Sequence, residues 1–193
     1  MTPSTLPGPA RNEVQAHRGA SAIAPENTIA AFRAAAEAGA KWVELDVALS
    51  ADGQLIVIHD DSVDRTSSGS GSLGALTQSE IAALDAGSWF GQDYQDERIP
   101  KLAETIAALG ELGLSANVEI KQHKHHKSLD QLVGAVQADI AKRSGGTEIM
   151  ISSFDPEALK WLSLHMCVEA GVDVLHHCWL SDALVDEDGA CCG

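Results

Sequence analysis

His17, Arg18 and Gly19 follow one another near the start of the chain, Pro25-Glu26-Asn27-Thr28 comes shortly after, and Glu44 and Asp46 flank Leu45 in the next apolar run. A titratable imidazole, a fixed cation and paired carboxylates are the components of a site for phosphate-ester chemistry. A His-Arg-Gly triplet alone carries little information. Its surroundings give it weight.

Side chains alternate along a strand, so Glu44 and Asp46 share one face, as do Glu119 and Lys121 in Asn117-Val118-Glu119-Ile120-Lys121. Val43, Leu45, Val47, Val118 and Ile120 then point the other way. Two carboxylates about 4 Å apart repel by roughly 4 kcal/mol at an effective dielectric of 20, and a third adds to the strain. A divalent cation resolves that conflict, and three oxygen ligands suit Mg²⁺ or Ca²⁺ better than zinc. The alternative is an internal ion-pair network built on Arg18 and Lys121. His59 enters through the turn signal Asp52-Gly53: a two-residue hairpin there sets Asp46 opposite His59, a local antiparallel departure within a parallel sheet. His17 and His59 then form an acid-base couple. His123, His125 and His126 fall in a basic loop that reads as solvated, and His176-His177 has no nameable partner.

Positioning these residues takes alternating strands and helices. The pattern predicts strands over Val14–His17, Lys41–Leu49, Gln54–His59, Ala116–Lys121 and Glu148–Ser152. Helices are predicted over Thr28–Ala38, Pro100–Leu109, Ser128–Lys142 and Pro156–His165. Such alternation implies a mainly parallel sheet covered by helices. The stretch Asp60–Ile99 breaks it with a Ser/Gly run, a short Thr77–Leu84 helical signal and an aromatic patch of Trp89, Phe90 and Tyr94. Structureless connections of that length are uncommon in compact domains and usually functional, so it reads as an insertion over the mouth of one domain spanning 13–193, behind a loose tail at 1–12.

Composition sets limits. At 193 residues, 45% hydrophobic and 21% charged, the chain suffices for one globular core. Its 28 acidic against 13 basic residues give a net charge of −15, which opposes binding to nucleic acid or anionic membrane, so an anionic substrate must meet a local basic or metal-bearing site. No run approaches the ~20 apolar residues of a membrane span, and no stable membrane association is expected. Cys167, Cys178, Cys191 and Cys192 show neither a CxxC pair nor a disulfide spacing and read as reduced thiols in a cytoplasmic setting.

In their order and spacing, HRGA at 17–20, PENT at 25–28, ELDV at 44–47, Asp52-Gly53, His59-Asp60, IPKL at 99–102, VEIK at 118–121 and SSF at 152–154 resemble the glycerophosphodiester phosphodiesterase family. The resemblance implies a TIM-barrel-like α/β fold with an inserted segment after the third strand. It also implies hydrolysis of a glycerophosphodiester to an alcohol and glycerol 3-phosphate, by direct water attack or through a cyclic phosphate. His17 and His59 become the acid-base pair, Glu44, Asp46 and Glu119 the metal ligands, and Arg18 and Lys121 the phosphate-binding cations. The family continues to a Trp-Thr-Val-Asn element and a closing strand that this chain lacks. An incomplete barrel with an open edge near Val172–Leu175, prone to association, is therefore expected. The competing functional readings are a fragment that binds metal or phosphate without turnover and a phospholipase-type phosphodiesterase, which needs more apolar surface at the mouth.

Overall fold

The computed structural model describes residues 14–123, 129–143 and 146–158. The four cysteines, His125, His126, His176, His177, the N-terminal tail, most of the helix predicted from Pro156 and the edge expected near Val172–Leu175 lie outside the described residues. The strands are β1 (Gln15–His17), β2 (Trp42–Leu49), β3 (Leu55–Val57), β4 (Ser115–Ile120) and β5 (Ile149–Ser153). Between them lie the helices α1 (Ile29–Glu37), α2 (Gln78–Ala82), α3 (Leu102–Leu112) and α4 (Leu129–Ile140).

β1, β2, β4 and β5 are parallel and adjacent in chain order, each pair joined by a helix-bearing crossover. Among the described residues, β1 and β5 are the two edges, so four successive parallel strands of a barrel-type sheet are present. β3 returns antiparallel along the C-terminal half of β2, on the same side as β1. The antiparallel departure expected at Asp52-Gly53 is present, but its register differs by one residue. Val47 pairs with Val57 and Leu49 with Leu55, and the Ile58 N–H donates to the Asp46 carbonyl at 3.0 Å, so Asp46 stands opposite Ile58 rather than His59. The cause is Gly53, whose φ of 76° places it in the left-handed region. Its N–H donates to the Ser50 carbonyl at 3.0 Å and the Ser50 N–H donates to the Gln54 carbonyl at 2.9 Å, closing a three-residue turn with a glycine bulge. β3 ends at Val57, leaving His59 beyond the strand.

The outward strand face carries Val43, Leu45, Val47, Val118 and Ile120, all buried against Phe32 of α1, Leu102, Ile106 and Leu109 of α3, and Leu132 and Val136 of α4. Burying each such side chain contributes about 1.5–3 kcal/mol. α1 starts where Thr28 leaves the extended conformation: its hydroxyl accepts the Ala31 N–H at 3.3 Å and donates to the Pro25 carbonyl at 2.7 Å. Residues 60–99 build a smaller core of Val63, Leu73, Ile81, Ala86 and Ile99 against Ala48, Ile56 and Ile58. Ala48 lies on the same strand face as Glu44 and Asp46, so this segment packs beside the charged end of the sheet.

Candidate active site

Parallel register gathers the polar groups into two rungs. His17, Glu44 and Asn117 are paired across β1, β2 and β4, and Asp46, Glu119 and Ser152 across β2, β4 and β5. Alternation puts both rungs on the face opposite the apolar core. Oxygen atoms of Glu44, Asp46 and Glu119 lie within 4.8 Å of one another. A cavity of about 170 Å³ opens over them, lined by His17, Glu44, Asn117, Glu119, Ser152, Ser153 and Phe154.

The first rung is held by unusual backbone. Arg18 has φ 57° and Gly19 φ 78°, turning the chain so that the Arg18 N–H donates to Glu44 Oε2 at 3.0 Å. Gly19 is required there, since a Cβ would stand 2.7 Å from the Ala31 carbonyl carbon. Asn27, also left-handed at φ 58°, donates its amide to Asp46 Oδ2 at 2.9 Å. The Arg18 guanidinium donates from Nη1 to Glu26 at 2.8 Å, with Nε 3.4 Å from Asp46 Oδ2. Lys121 Nζ donates to Glu119 Oε1 at 2.6 Å and stands 3.1 Å from Asp46 Oδ1, out of line for a hydrogen bond. Burial by itself would depress the Lys121 pKa, but the Glu119 and Asp46 carboxylates outweigh it and raise it, keeping the ammonium charged.

Three carboxylates face two cations, and the balance is incomplete. Among the described residues, Glu44 Oε1 and Asp46 Oδ1 are buried without a hydrogen-bond donor. Burial, followed by the charge of Asp46, pushes the Glu44 carboxyl up to about 7 despite the Arg18 N–H. Orphaned acidic oxygens in a tight all-oxygen cluster fit a hard divalent cation such as Mg²⁺ or Ca²⁺. The ion-pair network read from the sequence as the alternative is also present. Among the described residues it reaches Asp46 Oδ1 by charge alone and leaves Glu44 Oε1 without a donor.

His17 has Nε2 3.8 Å from Glu44 Oε2 and its side chain is 68% exposed at the cavity. His59 lines a different, smaller recess with Glu26, Asn27 and Thr28, its Nδ1 2.7 Å from Asp60 Oδ1. Six of the seven predicted site residues are thus gathered in one cluster, and His59 is joined to it through carboxylates. Sequence reasoning assigned no role to Glu26, Asn27, Asp60, Arg65, Asn117 or Ser152. Glu26 and Asn27 were visible within the PENT element and Asp60 beside His59. Arg65 had no signal, since it meets Glu26 across 39 residues.

Fold and site together define a parallel, barrel-type α/β protein with an acidic, cation-flanked cluster on the strand face opposite its apolar core. A sequence model of the Glycerophosphoryl diester phosphodiesterase family matches residues 17–168, and the chain belongs to that family. It is 52% identical over 108 residues to a glycerophosphodiester phosphodiesterase of Caldanaerobacter subterraneus, covering 56% of this chain and 44% of that protein. With a glycerophosphodiester phosphodiesterase of Bacillus subtilis it shares 35% over 164 residues, 80% of this chain and 56% of the other. The solved structure of an Oleispira antarctica phosphodiesterase, in complex with the product sn-glycerol-3-phosphate, superposes with a TM-score of 0.78 at 35% identity, over 89% of this chain and 65% of that one. The chain spans about half the length of the curated relatives it matches. Its fold class is TIM-barrel-like, with the barrel incomplete among the described residues.

Proposed function

We propose that this chain carries the site of a metal-dependent glycerophosphodiester phosphodiesterase, cleaving its substrate to an alcohol and sn-glycerol 3-phosphate in a cytoplasmic setting. The observation that carries the reading is the Glu44, Asp46 and Glu119 cluster, with buried oxygens that find no hydrogen-bond donor among the described residues, flanked by Arg18 and Lys121 under an open cavity. Glu44, Asp46 and Glu119 would hold Mg²⁺ or Ca²⁺. When bound, such an ion supplies Lewis-acid stabilisation of charge on the phosphoryl oxygens. Arg18 spends Nη1 on Glu26, which leaves Nη2 for a phosphate oxygen, and Lys121 gives one of its three donors to Glu119 and pairs by charge with Asp46, which leaves donors for the phosphate. The Nδ1–H of His59 donates to Asp60, which makes Nε2 the basic atom that can take or deliver a proton. His17, exposed at the cavity beside Glu44, serves the opposite end of the transfer.

The test is release of glycerol 3-phosphate from glycerophosphocholine with and without a chelator. Turnover that a chelator abolishes and a divalent cation restores supports the reading. Cation binding by calorimetry with no turnover would instead leave a chain that binds metal without catalysis. No helix among the described residues is long and apolar enough to cross a membrane, and a small-molecule diester is the partner the cavity fits.

A further inference from the structure

Arg65 comes from the segment between β3 and α3, and its guanidinium makes four hydrogen bonds to two carboxylates. Nε and Nη2 donate to the two oxygens of Asp60 at 2.7 and 3.0 Å, and Nη1 and Nη2 donate to the two oxygens of Glu26 at 2.8 Å each. Both contacts are bidentate, the fork-to-fork arrangement that fixes orientation as well as distance. Each carboxylate has one further client. Asp60 Oδ1 meets His59 Nδ1 at 2.7 Å, and Glu26 Oε1 accepts from Arg18 Nη1 at 2.8 Å. An unbroken charge-assisted chain therefore runs from His59 through Asp60, Arg65 and Glu26 to Arg18.

We infer that Arg65 is a positioning residue of this site: its clamp on Glu26 and Asp60 locks His59 and Arg18, which sit on separate loops, into one rigid unit. The inference rests on the roles proposed above for His59 and Arg18. Stability alone does not explain what the clamp joins, since its two bidentate pairs tie the loop that carries His59 to the loop that carries Arg18. Neither loop carries a strand or helix that would set His59 relative to Arg18, since β3 ends at Val57 and β1 at His17. Asp60, gripped by Arg65, stays ionised to well below neutral pH and so remains an acceptor that selects the Nδ1–H form of His59. Lysine cannot reproduce the clamp, since one ammonium does not meet two carboxylates in two parallel pairs.

The experiment compares R65A, R65K and H59A in the cation-loaded protein, reading glycerophosphocholine turnover, thermal unfolding, cation affinity and the imidazole ¹⁵N spectrum of His59. R65A and R65K should both lose about 10²-fold in kcat, the scale of a misplacement near 1 Å. Unfolding temperature and cation affinity should stay near wild type, and guanidinium added to R65A should restore part of the lost kcat where methylammonium does not. In wild type the spectrum should show the Nδ1–H tautomer, and in R65A a mixture. Full activity in R65K, or an unchanged His59 spectrum in a folded R65A, overturns the inference. Wild-type turnover in H59A would overturn the assigned role of His59 instead, and the spectrum would still decide whether Arg65 orients the ring.

Discussion

Burial and the neighbouring charge of Asp46 raise the Glu44 carboxyl to about 7, so a cation entering the cluster must displace a proton there whenever the pH is lower. The sign follows directly. Cation affinity should fall by about tenfold per pH unit below 7, the slope for one displaced proton, and level off above it. The folded pKa lies above the ordinary 4.5, so the stability contributed by protonated Glu44 in the metal-free protein is complete below about 4.5 and lost as pH rises through 7. Calorimetric titration of Mg²⁺ or Ca²⁺ between pH 5.5 and 8 checks this, and E44Q should bind weakly with a flat profile. A steep dependence surviving in E44Q would place the proton elsewhere. At the two histidines, H17A and H59A should each lower turnover by about 10²–10⁴-fold, the range of acid-base catalysis, with far smaller changes in cation affinity. Loss of cation binding with intact single-turnover chemistry would reverse the assigned roles. The acidic cluster was legible because strand alternation alone puts Glu44 with Asp46 and Glu119 with Lys121. The meeting of Arg65 with Glu26 was not, because it depends on where two loops turn, and residue type does not encode the left-handed φ of Arg18.

The elements themselves followed from pattern. β2 and β4 were legible as charged-apolar alternation, α1 as an alanine-rich run beginning at the Thr28 cap, and the short helix in the intervening segment at Thr77, whose hydroxyl accepts the Glu80 N–H while Glu80 accepts the Thr77 N–H. The hairpin was legible as a turn and not in its register, because Asp-Gly serves both the two-residue turn and the three-residue turn with a glycine bulge. Two glycines separate a local cost from a functional one. In G53A the added methyl meets only the end of the flexible Gln131 side chain, so the cost should be about 1 kcal/mol for the left-handed backbone. In G19A it meets the Ala31 backbone and side chain at 2.7 Å, where α1 cannot yield without shifting against α3. G19A should therefore lose at least about 2 kcal/mol by denaturant unfolding and also weaken cation binding, since the Arg18 N–H would leave Glu44. Equal stability losses in the two variants, with cation affinity intact in both, would show that the Gly19 turn does not position the site.

For the whole molecule, composition foretold an acidic protein whose anionic ligand must meet a local basic or metal-bearing site, and the fold gathers Arg18 and Lys121 around the Glu44, Asp46 and Glu119 cluster. Arg18 and Lys121 are both engaged there by carboxylates, so most of the field a distant substrate senses is that of the remaining acidic surface. The formal charge of −15 at pH 7 should repel an approaching anion and slow its encounter with the cavity. Salt screens that repulsion, with a Debye length of about 10 Å at 0.1 M, while leaving short, partly buried contacts inside the site largely intact. A glycerophosphodiester with a neutral alcohol, such as glycerophosphoglycerol, carries one negative charge, whereas glycerophosphocholine is zwitterionic with no net charge. Raising KCl from 10 to about 150 mM, a range over which the Debye length falls from ~30 to ~8 Å, should therefore increase kcat/KM for glycerophosphoglycerol by severalfold and leave glycerophosphocholine nearly unchanged. The ratio of the two responses cancels effects of salt on folding or on the cation site. A fall in kcat/KM for the anionic diester with salt would mean that the local cations, rather than the net charge of the chain, govern its approach.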